Sequence, residues 1–219
     1  HLWWHAALFR LEGLDTAGSL RVLDGHLSGD ALQIGLQRVD AASLLWRLHL
    51  LGADVTARAA ALSDDWCGAG AHEPGHYAFN DLHALMALLC AGEVGRAEHQ
   101  LARCAERAMA GDDARRDNHL MAREVGLPLA RGLLAFAKGD CDGAADQLYA
   151  ARSQAWRLGG SHAQRDVFDL TALAACVRGG RKSLGRALLN ERTLARPMSP
   201  LTRHWSDALG ASCNHGAVR

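Results

Sequence analysis

No stretch of this chain approaches the roughly 20 consecutive apolar residues that a membrane-spanning helix needs. The longest apolar run, Ala84 to Ala91, is far too short, so the chain is not expected to cross a bilayer. It also lacks an excess of either charge: 24 basic side chains stand against 24 acidic ones, and no global field draws in a polyanion or an anionic membrane. Nucleic acid is thereby set aside as a main partner. The six cysteines (Cys67, Cys90, Cys104, Cys141, Cys176 and Cys213) form no C-x-x-C pair. Cys90, Cys104 and Cys176 sit within apolar helical patterns, where thiols pack as small hydrophobes, which predicts reduced thiols in a cytoplasmic protein. The two-residue alternation of a half-buried strand never persists for more than a few residues, so no β-sheet is expected. His1 opens straight into an amphipathic pattern with no initiator Met, signal peptide or capping residue, which predicts a piece of a longer protein.

What the chain does have is bulk and rhythm. Its 219 residues, 49% of them hydrophobic, suffice for one sizeable domain or a short array of stacked units. A punctuation recurs: an apolar helical run, a glycine with an acidic or polar neighbour, then an Ala-rich amphipathic run. It appears at Leu11-Glu12-Gly13-Leu14-Asp15, Leu51-Gly52-Ala53-Asp54, Ala91-Gly92-Glu93, Lys138-Gly139-Asp140 and Arg178-Gly179-Gly180. The glycines return about every 40 residues, the range of helical solenoids, with the longest gap between Gly92 and Gly139. Glycine ending a helix takes the left-handed conformation without a Cβ penalty, and an acid just beyond it suits the positive end of the next helix. Each punctuation therefore predicts a helix-turn-helix corner. Small residues follow at helical spacing, such as Ala97, Cys104, Ala105 and Ala108, or Ala144, Ala145 and Ala151, and let two helices approach closely.

The expected fold is all-α: a single domain over 1–219 of tandem antiparallel hairpins in a tetratricopeptide-like right-handed α-solenoid. The hairpins are drawn at 1–38, 39–76, 77–116, 117–160 and 161–198, with 199–219 as cap and tail. Leading helices are expected at about 2–12, 40–51, 77–91, 117–138 and 161–178, and their partners at about 16–27, 54–65, 94–110, 141–157 and 181–193. Pro128 should kink or split the fourth leading helix after Val125. Leu201, Trp205 and Leu209 share one face of the closing helix, which Pro197 and Pro200 set apart. Gly29–Arg38, Asp64–His76 and Gly111–Asp113 should be non-helical.

Several motifs invite a chemical reading. His72-Glu73-Pro74-Gly75-His76 matches H-E-x-x-H in letters, but Pro74 and Gly75 break the helix that would place both imidazoles on one face. His1 and His5 do share a face, at a spacing that can hold a divalent metal. Asp81 and His83 point about 200° apart, so only one of them can face a given groove. Ser161 is placed to cap the fifth leading helix, and Arg165 and Asp166 follow it. That charged pair reads either as an interhelical tie or, for Arg165, as a fork for a carboxylate or phosphate. Trp3, Trp4, Trp46 and Tyr77 are expected in the core, except that Trp3 and Trp4 point about 100° apart and cannot be equally buried.

Five blocks of sequence resemble the tetratricopeptide repeat protein 38 family. They are His1-Leu2-Trp3-Trp4-His5 with Ala7-Leu8; Val39-Asp40 with Leu45-Trp46-Arg47-Leu48; Phe79-Asn80-Asp81-Leu82-His83 with Met86-Ala87; Gly126-Leu127-Pro128-Leu129; and Gly159-Gly160-Ser161 running into Gln164-Arg165-Asp166-Val167-Phe168. Ser199-Pro200-Leu201-Thr202 also fits. The resemblance, to the C-terminal half of a family member, implies tetratricopeptide-like hairpins, a cytoplasmic setting and an N-terminal half as an intramolecular partner. It implies no reaction. The repeat is longer than the ordinary tetratricopeptide unit of about 34 residues and lacks its Trp, Gly and Tyr signature, so peptide-tail binding does not carry over from fold alone.

Two functions are then expected from the pattern. One is a non-catalytic scaffold that binds a protein, peptide or small ligand in a concave groove lined by the leading helices, through His5, Arg47, Asp81, His83, His119, Arg165 and Asp166. No motif asks for a cofactor or a resident metal. The other is an enzyme, metal-dependent or not, whose His, Asp and Arg side chains converge on the same face, with histidine as acid or base.

Overall fold

The structure, a computed structural model, describes residues 1–67, 73–110 and 117–211. They form helices α1 (Leu2–Glu12), α2 (Thr16–His26), α3 (Gly35–Leu50), α4 (Thr56–Cys67), α5 (Ala78–Cys90) and α6 (Val94–Met109). After these come α7 (Asp117–Met121), α8 (Leu127–Ala137), α9 (Cys141–Arg152), α10 (His162–Gly179), α11 (Lys182–Ala195) and α12 (Pro200–Ala211). Among the described residues there is no strand, and no helix is long and apolar enough to cross a membrane.

The glycine corners form as their chemistry dictates. Gly52, Gly92, Gly139 and Gly180 all take positive φ, between 70° and 82–83°. The first corner differs: Gly13 stays at φ −84° and Leu14 takes the left-handed conformation instead, at φ 62°. Acids beyond the corners cap the following helices, with Asp15 accepting from the Gly18 amide and Asp140 from the Gly143 amide. Ser161 caps α10 in a full capping box, its hydroxyl accepting from the Gln164 amide while the Gln164 side chain accepts from the Ser161 amide.

Four boundaries differ from expectation, the first being α4, which runs to Cys67 and so makes Asp64–Cys67 helical where a non-helical segment was expected. α3 begins at Gly35 rather than near 40, because Ile34 is extended and its carbonyl accepts from the Gln37 and Arg38 amides; the boundary drawn at 38/39 therefore falls inside a helix. α9 stops at Arg152, and a 3₁₀ turn, Ala155–Leu158, completes the segment expected to be helical to 157. The fourth leading helix is divided by a π-turn over Ala122–Gly126, in which the Leu127 amide reaches back to the Ala122 carbonyl. Pro128, in the first turn of α8, has no N–H to give to the preceding turn, and the wider π-turn absorbs that gap.

α3, α5 and α10 are enclosed nearly all round, as helices apolar on every face must be. α5 lies against α3, α4, α6 and α8; α9 lies between α8 and α10. The array also returns on itself: α10 packs on α3, and α12 packs on both α10 and α1. The Trp46 indole donates to the Thr171 hydroxyl at 2.8 Å, joining α3 to α10, and the Phe136 ring lies 6.0 Å from that of Trp46. The face expected as an open groove is consequently core for much of its length. Trp4 is 0% exposed and Trp3 51%, as their angular separation requires, and Trp3 stacks on His26.

Close packing of α8 on α9 depends on Gly132. A Cβ there would sit 2.6 Å from Leu148 Cγ, and Leu148 is fully buried. Helix propensity alone favours Gly132→Ala by about 1 kcal/mol. The clash should reverse the sign, giving a loss of about 1–3 kcal/mol in urea unfolding. A stabilised variant would show that α8 and α9 are not so close.

Candidate functional site

Where α1 and α3 meet α10 and α12, these helices line a half-open cavity of about 260 Å³. Its walls are mainly apolar, including Leu8, Leu50, Leu170, Leu201 and Trp205, and into them are set His5, Glu12, Arg47, Asp166 and Arg196. Asp166, Leu170 and Arg196 also form a wall of a second cavity, of about 410 Å³, bounded by α10, α11 and the end of α9.

The partition between the cavities is an ion network drawn from distant parts of the chain. Arg192, its side chain 7% exposed, grips two carboxylates. One guanidinium nitrogen donates to Asp166 at 3.1 and 3.3 Å, and the other donates to Glu12 at 2.9 and 3.0 Å. Arg196 donates to Asp166 at 2.9 Å, and the Ser199 hydroxyl donates to Glu12. Burial alone would raise Asp166, but the cations of Arg192, Arg47 and Arg196 outweigh it and hold that carboxyl below its ordinary value.

Arg47 lies in the first cavity's wall and is 4% exposed. Its guanidinium donates to the Ser43 carbonyl at 3.1 Å, to the Ser43 hydroxyl and to the Ala163 carbonyl at 2.6 Å; the Trp4 ring lies 5.8 Å from its Cζ. Burial pushes it down to about 10, which leaves it a cation at neutral pH. Two helical turns earlier on α3, Asp40 has no solvent-accessible surface and faces the His1 ring Nδ1 at 2.9 and 3.1 Å. Burial raises Asp40 to about 6, against the pull of the amino terminus, His5 and Arg47.

The larger cavity is the weaker candidate because its charges are already engaged. Arg152 pairs with Asp169 at 3.2 Å and with Glu191, while both terminal nitrogens of Arg192 are taken by Glu12 and Asp166, its buried Nε making no hydrogen bond. Arg165 donates to the Gly159 and Gly160 carbonyls, closing the loop before α10.

Of the residues expected on one groove, His5, Arg47 and Asp166 do share the smaller cavity, and Arg165 lines the neighbouring one. Asp81, His83 and His119 do not line that cavity, though Asp81 lines a separate small one beside α5 and α6. All three are buried because α5 and its neighbours enclose them. Asp81 accepts from the Gly75 amide at 3.1 and 3.2 Å, and His83 Nδ1 donates to the Phe79 carbonyl at 2.7 Å. Arg165 and Asp166, read as one charged pair, separate into a loop clasp and an interhelical tie. Sequence reasoning missed Glu12, Asp40, Arg192, Arg196, Ser199 and Trp205. A signal existed for one of them: Leu188 and Arg192 share one face of α11 at four-residue spacing, so the stripe that buries Leu188 carries Arg192 inward, and Arg196 follows at the C-cap.

His72 of the H-E-x-x-H letters lies outside the described residues, as does the Gly111–Asp113 corner. Residues 73–77 are turn rather than helix, with Gly75 at φ 84° and Glu73 paired to Arg107. Among the described residues no group of three or more His, Cys, Asp or Glu side chains is disposed to hold a metal ion. No protein-family model matches the chain, and no solved structure matches it.

Proposed function

We propose that this chain is a tetratricopeptide-like helical-repeat scaffold that binds a ligand in the cavity between α1, α3, α10 and α12. The observation that carries the reading is the convergence there of Glu12, Arg47, Asp166 and Arg196, from four separate segments, on a hollow otherwise walled by leucines and Trp205. Small-ligand sites have this make-up: mostly apolar walls with a few placed polar groups. The resemblance to the tetratricopeptide repeat protein 38 family supports the repeat assignment. Buried thiols at Cys90, Cys104 and Cys176 support a reducing, cytoplasmic setting.

An enzyme is the second reading, favoured by Asp40, whose raised value of about 6 beside His1 and His5 is the kind of perturbation that marks acid-base sites. Asp40 is not among the residues that line the cavity, however, so a bound molecule would not meet it directly. Binding without turnover accounts for the geometry with fewer parts.

The test is a neutral fluorescent probe, N-phenylnaphthylamine, titrated into the protein and into Ala163→Phe. Ala163 lines the smaller cavity and not the larger. Saturable one-to-one binding is expected for the parent, weakened about tenfold or more by the filled cavity while the thermal melt stays cooperative. Equal binding by both proteins would defeat the proposal.

A further inference from the structure

Resting on that cavity reading, we infer the chemical class of the occupant: a carboxylate carried on an apolar body, its charge set against Arg47 and Arg196. The argument begins with charge. The partly buried cluster at the partition holds Arg47, Arg192 and Arg196 against Glu12 and Asp166, three cations for two anions. Both carboxylates are engaged by Arg192, and Arg196 takes a further share of Asp166. Arg47 is left with neutral acceptors alone, the Ser43 carbonyl and hydroxyl and the Ala163 carbonyl. A guanidinium this deeply buried ordinarily has a carboxylate or phosphate on it, because removing a charge from water is costly unless an opposite charge meets it. Asp40 does not serve, since its oxygens meet the His1 ring two turns away.

Arg196 adds a second cation at the same wall. Its guanidinium donates once, to Asp166, and its side chain is 35% exposed, so further N–H groups remain for a ligand. His5, at the exposed side, makes ring contacts with His1 and Trp4. The remaining wall then decides what the anion must be attached to. Leu8, Leu50, Leu51, Leu170 and Leu201 would stay wet around a bare inorganic anion, whereas a neutral apolar ligand would leave Arg47, which feels Asp166 and Glu12 only at longer range, with no anion in hydrogen-bond contact. A carboxylate on a hydrocarbon or leucine-like group satisfies both sides, and guanidinium is the side chain best shaped to receive it. Two sources share this chemistry, a medium-chain acid and the C-terminal residue of a peptide.

Calorimetric titration with two matched pairs tests the assignment: octanoate against octanamide, and acetyl-Leu-Leu with a free against an amidated C-terminus. At least one acid should bind about tenfold or more tightly than its own amide, the worth of one charge-assisted contact. Whichever pair shows the preference identifies the source. In Arg196→Gln, a change at a partly exposed position that should still fold, the preference should fall below about threefold. Arg47→Gln should do the same if its melt remains cooperative. Acids that bind no tighter than their amides, with the neutral probe still bound, would overturn the carboxylate assignment and leave the cavity reading intact. A preference that survives Arg196→Gln would overturn it too. Failure of the neutral probe to bind the parent protein would bring down the cavity reading and this inference together.

Discussion

Replacing Arg192 by methionine should cost the protein about 3–5 kcal/mol, measured as a fall in the urea midpoint at an unchanged slope. The stem of the side chain is preserved, so the loss is electrostatic. Arg192 donates two bonds to Glu12 and two to Asp166, and no other side chain among the described residues hydrogen-bonds both carboxylates. Without it, Asp166 keeps Arg196 but Glu12 keeps only the Ser199 hydroxyl, a neutral partner. Removing one member of a buried ion set is far costlier than never having had it, because the stranded charge stays out of water. The gap between parent and variant should also depend on pH. Asp166 is held below its ordinary value of 3.8, so its contribution is present above that value and disappears as pH falls through the depressed one. Parent and variant should therefore converge in acid. Arg181→Met makes the control: Arg181 pairs with Asp142 and Asp146 on the surface, and its loss should leave the midpoint almost where it was. If Arg192→Met behaved like Arg181→Met, the network would not be holding α1, α10 and α11 together.

The contrast between those two arginines also explains which parts of the molecule could be read from its residues. Local devices were legible because each is written within a few positions. The corners at Gly52, Gly92 and Gly139, the Asp15 and Asp140 caps, the Ser161 capping box and the break ahead of Pro128 all depend on neighbours in sequence. Burial of Cys90, Cys104 and Cys176 followed from helical periodicity in the same way. The return of α10 onto α3 and of α12 onto α1 did not, because it depends on packing summed along the whole series of helices. Glu12 and Arg192 lie 180 positions apart, and Trp46 and Thr171 lie 125 apart. Nothing local announces either pairing. That single gap accounts for the misplaced groove residues: once α10 returns to α3, polar groups drawn on an inner wall become either core, as His83 and Asp81 are, or the lining of the remaining hollow, as Arg47 and Asp166 are.

Acidification from pH 7 to pH 4 should narrow or reverse any stability advantage the parent has over His83→Leu, by roughly 3 kcal/mol across the range. His83 has no accessible surface, its Nδ1 donates to the Phe79 carbonyl, and its Nε2 meets no hydrogen-bond partner among the described residues. Burial lowers it from 6.5 to about 4; the Phe79 carbonyl pulls the other way, and Arg47 adds to the lowering. Between those two values the unfolded chain takes up a proton that the folded one refuses, so stability falls as pH drops from 6.5 towards 4 and levels off below. Asp40 works in the opposite sense. Raised from 3.8 to about 6, it contributes stability below 3.8 that is lost as pH rises through 6. The parent curve is therefore flatter than either residue alone would make it, and only the comparison with His83→Leu isolates the histidine. Leucine at this site carries no proton to refuse, so the difference between the two proteins should track the His83 titration, with its steepest change between pH 6.5 and 4. Parallel curves across that window, from chemical denaturation at each pH, would mean that His83 reaches water or a partner and that α5 is less tightly enclosed by α3 and α8 than the packing indicates.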